Sequence, residues 1–219
     1  MKRVGGLTIV GIIILIPVLI AFYWHSKEFK YTELPVYSTD EMGEEVPYYI
    51  DSFSLIDQNG DVFTREDIGN RVFIANFFFA SCPEVCPTIN GHLKKASQKL
   101  ENSTDVLFLS HTVDPYNDTA AVLRAYADKF EVNDDQWKFL TGSKSTIYRL
   151  ARDSYKAVIQ AVPDTTDFIH SEKVMLVDKD FHVRGIYDGL DITDIMKMIE
   201  DARFLLKTYK DQEKDENKR

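Results

Sequence analysis

The feature that most constrains the fold is a continuous run of apolar and aromatic residues from Arg71 to Phe79, RVFIANFFF. A strand with one face in water alternates apolar and polar residues, whereas an unbroken run of this length is typical of a strand covered on both faces. Such strands lie in the middle of sheets that carry helices on both sides. The run therefore predicts an α/β domain in which this segment is the central strand.

The patterns around this strand predict the remaining elements. Apolar residues at helical spacing indicate helices at 88–100, 120–130, 145–152 and 191–209. Short apolar runs indicate further strands at 106–109, 137–140, 174–177 and 182–187. Phe53 to Phe63 indicates a hairpin, because Asn59-Gly60 is a strong signal for a two-residue turn. This order is typical of an α/β fold with a thioredoxin-like sheet flanked by helices.

An uncharged stretch from Val4 to Trp24 predicts an N-terminal transmembrane helix before this domain. At about 1.5 Å per residue, the stretch is long enough to cross roughly 30 Å of hydrocarbon. Lys2 and Arg3 precede it, and positive charge stays on the cytoplasmic side of a membrane. No transit peptide rich in Arg and Ser comes first. We therefore expect a single-pass protein of a bacterial inner (cell) membrane, with its soluble domain on the periplasmic or extracytoplasmic side. A long, cleaved signal peptide is the alternative.

The expected organisation is then a transmembrane anchor, a polar tether, a thioredoxin-like domain and a charged tail, at 4–24, 25–47, 48–206 and 207–219. The formal net charge is -9. A surface of that sign repels the phosphates of nucleic acids, so we expect no nucleic-acid partner. It suits a metal cation or a basic protein surface instead.

The two cysteines, Cys82 and Cys86, lie where the central strand ends and a helix begins. A disulfide between them would close a very short loop and would stabilise the fold little, so redox or metal chemistry is the better interpretation. We expect Pro87 at the first helical position and Cys86 at or just before it. The free N–H groups there should lower the pKa of a thiol. Three intervening residues, rather than the two of thioredoxins, let both sulfurs face one soft cation, such as Cu(I) or Zn(II).

Two sulfur ligands leave room for a third ligand, and three of the five histidines are poorly placed for that role. His25 lies beside the expected anchor, far from the domain. His92 is more than a turn beyond Cys86 on the same helix, so we expect its side chain to point elsewhere into solvent. His182 follows a tight turn that we expect at the opposite end of the sheet.

His170 is the predicted third ligand. It lies in the loop that enters the 174–177 strand, and that strand is expected to run antiparallel to the central one. Its beginning should therefore lie at the cysteine end, where the corresponding loop of thioredoxins covers the cysteine pair. His111, near the cysteine end of the second strand, is the runner-up. Its other interpretation is a structural histidine bonded to the turn at Asp114.

Asp114-Pro115 follows the second strand at the same end of the sheet. In the simplest interpretation this turn starts the next helix, which Asp118 or Thr119 caps. Asp114 is also a candidate for a residue that holds a metal ligand or a partner in place through a hydrogen bond.

With these residues together, the chain resembles the Sco/SenC family of copper chaperones for cytochrome c oxidase. The resemblance covers about Tyr48 to Ala202. The segments that carry it are the CxxxCP element at Cys82–Pro87, the distal histidine at His170, the Asp-Pro segment at Ser110–Thr119 and a further signature at Leu140–Gly142. The chain departs from many members at Ala80-Ser81, which lines the outside of the site.

The resemblance implies a copper metallochaperone that binds one copper, as Cu(I) or Cu(II), through Cys82, Cys86 and His170. It implies delivery to the binuclear copper site in the second subunit of cytochrome c oxidase. A thiol reductant and an upstream copper donor are further candidate partners. The alternative is a thiol–disulfide oxidoreductase that keeps the oxidase's copper-ligand cysteines reduced. A peroxidase-like thiol enzyme is a weaker interpretation, because the sequence places no arginine to activate a peroxide.

Overall fold

The structure of the protein is a computed structural model that describes residues 16–17, 34, 48–101, 103–156 and 172–217. The chain divides into two compact units, Met1–Glu33 and Leu34–Arg219. In the first unit the two described residues, Ile16 and Pro17, are helical. Within the described residues, no helix combines the length and the hydrophobicity that a membrane span requires. Almost all of the expected anchor and tether lies outside the described residues.

The described part of the second unit alternates strands and helices much as the sequence predicts. Its strands are β1 Ser54–Ile56, β2 Val62–Thr64, β3 Val72–Phe78, β4 Val106–Thr112, β5 Trp137–Leu140, β6 Lys173–Val177 and β7 Val183–Asp188. Its α-helices are α1 Val85–Lys99, α2 Ala120–Lys129, α3 Lys144–Arg149 and α4 Ile192–Glu216. A 3-10 turn at Arg65–Ile68 and a π-helical turn at Leu150–Ser154 complete the set.

The main sheet has the strand order β5-β4-β3-β6-β7, and β1 and β2 form a separate antiparallel pair. The prediction for the central strand is confirmed, because β3 lies in the middle and all of its residues are buried. It runs parallel to β4 and antiparallel to β6. The end of β3 and the beginning of β6 therefore meet at one edge, which we call the cysteine edge. The turn between β6 and β7 lies at the opposite, distal edge.

The two faces of the sheet carry different cores. Ile74 and Phe78 of β3 face a core that includes Cys82, Cys86 and residues of α1, α2 and α4, and we call this the cysteine face. The side chains of β3 and β4 that alternate with these point to the opposite side of the sheet and face the other core. That core also contains residues of α3, the β1–β2 pair and Tyr155. The two cores follow from the alternation of side chains along each strand. The α/β, thioredoxin-like architecture thus agrees with the sequence.

The first hairpin differs from its prediction in the turn. Ile56 and Val62 are the last paired residues, so the loop spans 57–61 rather than the two residues of Asn59-Gly60. The carboxylate of Asp57 accepts hydrogen bonds from the backbone N–H groups of Asn59 at 2.8 Å and Asp61 at 3.1 Å. This side-chain turn widens the loop, and Gly60 supplies its positive φ of 85°.

Two helices also differ from their predictions. Spacing alone predicts Val122 on the inward face of α2, but Val122 is 39% exposed and Leu123 is buried instead. The inward residues of α2 are Leu123, Tyr126 and Ala127, at positions i, i+3 and i+4. The closing helix α4 continues through Glu216, so most of the charged tail expected at 207–219 is helical.

Candidate metal site

The cysteine loop joins β3 to α1 at the cysteine edge. Glu84 is the N-cap of α1, which places Cys86 at the second helical position and Pro87 at the third. Pro87 is therefore not the first helical residue, but it is tolerated because N–H groups of the first turn have no partner within the helix. The backbone N–H of Cys82 donates to the carbonyl of Phe79 at 3.2 Å, which turns the loop back over the end of β3.

The two sulfur atoms lie side by side at the base of this loop. Cys82 and Cys86 are 6% and 5% exposed, and both are free thiols. The backbone N–H of Cys86 donates to Sγ of Cys82 at 3.4 Å, and the backbone N–H of Phe79 donates to Sγ of Cys86. Backbone dipoles therefore point at both sulfurs, in a position that a soft cation can share.

The pKa of Cys86 contradicts the sequence-based expectation. Burial, with the neighbouring Cys82 and Asp118 adding to it, raises the pKa of this thiol to about 12. The Phe79 N–H lowers the pKa but does not compensate for lost hydration. Cys86 is therefore a protonated thiol in the metal-free protein, and a metal must displace its proton in order to bind.

Asp118 is the residue of this site that the sequence did not single out as more than a helix cap. Its carboxylate accepts hydrogen bonds from the backbone N–H of Ala80, at 3.0 Å, and from the hydroxyl of Thr112. It is buried, and burial raises its pKa. Asp118 thus ties the cysteine loop to the end of β4. Its position four residues after Asp114 in the Asp-Pro turn was the available signal.

Asp114 itself organises the Asp-Pro turn. Its carboxylate accepts a hydrogen bond from Nδ2 of Asn117 at 2.8 Å, and its carbonyl accepts from the backbone N–H groups of Asn117 and Asp118. The cap of α2 is Thr119, whose hydroxyl accepts from the N–H of Val122 at 3.4 Å. Among the described residues, it is therefore Asp118 rather than Asp114 that contacts the cysteine loop.

The histidines are distributed as follows. His182 lies at the distal edge, as predicted, with Nδ1 3.8 Å from Asp178. The prediction that His92 is solvated is wrong, because its Nδ1 lies 2.9 Å from the carbonyl of Gly189 and the side chain is half-buried. His170 lies outside the described residues. The carbonyl of Glu172, the residue before β6, accepts from the N–H of Gly189 at 2.7 Å, at the cysteine edge.

His111 is on the face of the sheet opposite the cysteines. It is fully buried, it stacks on Phe77 with ring centroids 5.2 Å apart, and Nε2 lies 3.2 Å from the hydroxyl of Tyr155. Its bond to Tyr155 replaces the predicted one to the Asp114 turn. Burial lowers the pKa of His111 to about 3, so the ring is neutral. Its position removes the geometric argument for His111 as the third ligand.

A chain of buried hydrogen bonds runs under the cysteine loop on the cysteine face. Its members, in order, are Trp137, Ser110, Asn76, Asn90 and Tyr126. The separations between successive polar atoms are 2.9, 2.6, 3.0 and 3.1 Å. The chain joins β5, β4, β3, α1 and α2. It therefore fixes the helix that carries Cys86 to the three strands behind it.

No group of three or more His, Cys, Asp or Glu side chains in the described part of the chain is arranged to hold a metal ion. The two sulfurs of Cys82 and Cys86 are therefore not accompanied, within the described residues, by a third group of this kind. The described geometry fits a soft cation at an incomplete site, rather than a closed structural metal centre.

Comparisons with known proteins agree with this fold. The family model described as SCO1/SenC matches residues 42–207. The SCO1 protein homolog of Bacillus subtilis is 30% identical over 74% of this chain and 86% of its own length. The structure of BsSco, described as a member of the Sco family of cytochrome c oxidase assembly proteins with a disulfide switch, has a TM-score of 0.62 at 30% identity. The match covers 74% of this chain and 97% of that one.

A third relative was solved with a metal. Arabidopsis thaliana ScoI with copper bound has a TM-score of 0.60 at 28% identity, covering 73% of this chain and 98% of that chain. These likenesses extend over nearly the whole length of both solved relatives, and the family model spans the cysteine loop and the Asp-Pro turn. The chain belongs to the SCO1/SenC family.

Proposed function

We propose that the protein is a copper metallochaperone that carries one copper to the binuclear copper site of cytochrome c oxidase. The observation that carries this proposal is the pair of reduced, adjacent and buried sulfurs of Cys82 and Cys86 at the cysteine edge of the sheet. Copper is bound in the Arabidopsis relative, and BsSco is described as an oxidase assembly protein, which supports the choice of cargo and partner.

The chemistry of the sulfurs favours copper over harder ions. Two thiolates and an imidazole form a soft donor set that suits Cu(I), and Cu(II) would recruit a further oxygen ligand. We assign His170 as the imidazole donor, because the chain enters β6 at the cysteine edge. Since the pKa of Cys86 is raised, binding releases a proton and copper affinity should rise with pH.

Delivery follows from ligand exchange. Partner thiolates replace Cys82 and Cys86 one at a time on Cu(I), so the ion changes ligands without a change in oxidation state. Each sulfur that leaves the metal takes up a proton. The raised pKa of the Cys86 thiol favours this return to the protonated form and therefore favours release. An upstream copper donor would load the site by the reverse exchange.

A second function is favoured by the same pair. The contact between the Cys86 N–H and Sγ of Cys82 brings the sulfurs close enough for a disulfide to form with a local adjustment. As an oxidoreductase, the dithiol would give two electrons and two protons to a disulfide between the oxidase's copper-ligand cysteines, and it would itself become a disulfide. A thiol reductant would restore it. BsSco, whose description names a disulfide switch, supports keeping this candidate.

The proposed location follows from the sequence. An anchor at 4–24 would hold the protein in a bacterial inner membrane, and a tether at 25–47 would connect it to an extracytoplasmic domain at 48–206 with the tail 207–219. Protease added outside the inner membrane of spheroplasts should remove the domain and leave the anchor. A soluble chain cleaved near His25 would contradict the anchor.

The experiment that separates the two functions titrates Cu(I) and Cu(II) into the detergent-solubilised full chain, both reduced and oxidised. We expect about one copper per reduced chain, with thiolate-to-copper absorption, and almost none in the oxidised chain, because a disulfide removes both thiolates. Equal tight binding by both forms would reject the cysteine ligands.

The matched variants are His170→Ala, His92→Ala and His182→Ala. We expect the first to lose most copper binding and the other two to retain it. If His170→Ala loses copper binding but still supports oxidase assembly and disulfide reduction, the oxidoreductase function replaces the chaperone. If His170→Ala binds copper as the wild type does, His170 is not a ligand.

A further inference from the structure

A basic groove lies at the distal edge of the domain, between the end of α1, the start of β4 and the second half of α4. Its volume is about 660 Å³. The cationic side chains that line it are Lys99, Arg203, Lys207, Lys210 and Lys214, and two carboxylates, Asp105 and Asp211, lie among them. In a chain whose formal net charge is -9, this is a local reversal of sign. It belongs to no part of the copper site.

Helix α4 provides most of the cationic side chains of the groove. Arg203, Lys207, Lys210 and Lys214 follow one another at steps of four, three and four residues, which places them along one side of the helix. From the first to the last the stripe extends about 16 Å, at about 1.5 Å per residue. All four are exposed, so their cationic groups are within reach of a ligand.

The cations of the groove are only partly neutralised within the protein. Lys210 lies 3.6 Å from Asp105, Lys214 lies 3.3 Å from Asp211 and Arg203 lies 2.9 Å from Glu200, all in exposed pairs that contribute little stability. Among the ion pairs of the described residues, none involves Lys99 or Lys207. These lysines can therefore contact an anion without breaking an internal pair.

The groove lies on the same side of the domain as Leu34. The carbonyl of Leu34, a buried residue, accepts a hydrogen bond from Arg184 at 2.5 Å, and Arg184 pairs with Asp178 in the distal turn at 2.8 Å. The next residue of that turn, Lys179, lies over the ring of Tyr209 at 4.4 Å. Tyr209 precedes Lys210 of the groove. Leu34 and the groove are thus joined by a continuous series of contacts.

The length of chain before Leu34 limits how far this edge can lie from a membrane. Residues 25–33 separate Leu34 from the expected end of the anchor, and they reach about 30 Å even when fully extended, at roughly 3.3–3.6 Å per residue. We propose that the basic groove binds the headgroups of anionic phospholipids in the membrane that anchors the chain. Each cation close to such a surface strengthens binding about fivefold, and the effect fades within a Debye length.

This binding would hold the distal edge against the bilayer. Because the cysteine edge is the opposite end of the same sheet, the copper site would then face away from the lipid, toward the extracytoplasmic parts of a partner. The proposal rests on the proposed anchor for its choice of ligand but does not depend on copper binding, so it is tested without the metal.

The test uses the full chain in nanodiscs of phosphatidylcholine, with and without about 30% phosphatidylglycerol. Lysine acylation is followed by mass spectrometry. We expect the anionic lipid to slow acylation of Lys99 and Lys207 at least threefold and to leave Lys129 and Lys197 unchanged. About 0.5 M salt should abolish the protection. Lys207→Glu should remove most protection at Lys99, whereas Lys197→Glu, on the same helix but outside the groove, should retain it.

Equal acylation rates in the two lipids would overturn the proposal. Equal protection by inorganic phosphate in phosphatidylcholine discs would also overturn it, because the groove would then be a site for free anions. If the chain does not enter nanodiscs, the anchor is wrong and the same chain is sedimented with vesicles of the two compositions. Preference for the anionic vesicles, lost in Lys207→Glu, would still support the lipid site, and equal partition would reject it.

Discussion

The two faces of the sheet each bury polar groups, but they treat those groups differently. On the cysteine face, Asn76, Ser110 and Asn90 are linked in one chain of hydrogen bonds that ends near the thiols. On the opposite face, His111 stands almost alone among aromatic rings, with one bond to Tyr155 and with Nδ1 lacking a partner among the described residues. The core of the cysteine face contains a chain of polar groups that bond to one another, and the opposite core contains a neutral base with a single bond.

The difference shows that burial of a ligating residue does not by itself make a site. His111 is buried, can ligate metals and lies on a strand next to β3, yet the sheet separates it from the sulfurs. Cys82 and Cys86 are nearly as buried, but backbone N–H groups point at them and they follow the end of β3, at the edge of the sheet. The following predictions test this contrast.

The largest effect is expected for Asn76→Ala on the cysteine face. The change leaves the hydroxyl of Ser110 without its acceptor and Oδ1 of Asn90 without its donor, and each buried unsatisfied group costs about 1–3 kcal/mol. We expect the free energy of unfolding to fall by about 3–5 kcal/mol, measured by urea denaturation. The control is the exposed Asn133→Ala, which should change it by less than about 1 kcal/mol. Similar losses in both variants would mean that the chain is not a stabilising network.

On the opposite face, the expected effect depends on pH. An unfolded histidine binds a proton near pH 6.5, whereas buried His111 does so only near pH 3. The unfolded state therefore binds more protons between these values, so the contribution of His111 to stability is present above pH 6.5 and is lost as the pH falls toward 3.

We expect His111→Phe to be less sensitive to acid than the wild type, by about 3 kcal/mol between pH 7 and pH 4. Carboxylates titrate in both proteins, so the difference between the two pH profiles isolates His111. Copper binding should be unchanged in the variant, because the ring lies behind the sheet. If the stability of the two proteins changes with pH in the same way, a group other than His111 causes the sensitivity to acid.

The sequence predicts the order and approximate bounds of the strands and helices well, because its strongest signals are long apolar runs. The bounds of β5 are as expected, and β6 runs antiparallel to β3 as expected. What the sequence did not predict depends on tertiary contacts. In β4 every residue is buried, so no alternation of apolar and polar residues reveals that His111 faces away from the cysteines.

Asp118 and Cys86 illustrate the same limit at the site. Asp118 resembles a helix cap in the sequence, and its bond to Ala80 joins residues far apart in the chain. The place of Cys86 at a helix start predicts a low pKa, but the burial that raises this pKa depends on tertiary packing. Inward polar residues at helical spacing, such as Asn90 on α1, were the available signal for the hydrogen-bonded chain.

A smaller effect should follow from loosening the cysteine loop at Asp118. Asp118→Ala removes the acceptor of the Ala80 N–H, whereas Asp118→Asn retains a side-chain oxygen for it. We expect Asp118→Ala to weaken copper binding about 10- to 100-fold, as is typical when a residue that orients metal ligands is lost, and Asp118→Asn to weaken it less. Competition with a chromophoric Cu(I) chelator measures both. Equal losses would mean that the charge of Asp118 matters rather than its bond to the loop.

The smallest effect is expected at the end of the hydrogen-bonded chain. The Trp137 ring N–H can only donate, so Ser110 must accept from it and give its own proton to Asn76, and the amides of Asn76 and Asn90 are then oriented in turn. Tyr126 is the last acceptor, receiving from Nδ2 of Asn90 at 3.1 Å. Tyr126→Phe therefore frees one N–H and leaves every earlier bond intact. We expect a loss of about 1 kcal/mol in the free energy of unfolding, with one copper still bound per chain. A loss as large as that of Asn76→Ala would mean that the Tyr126 hydroxyl orders the chain rather than ending it.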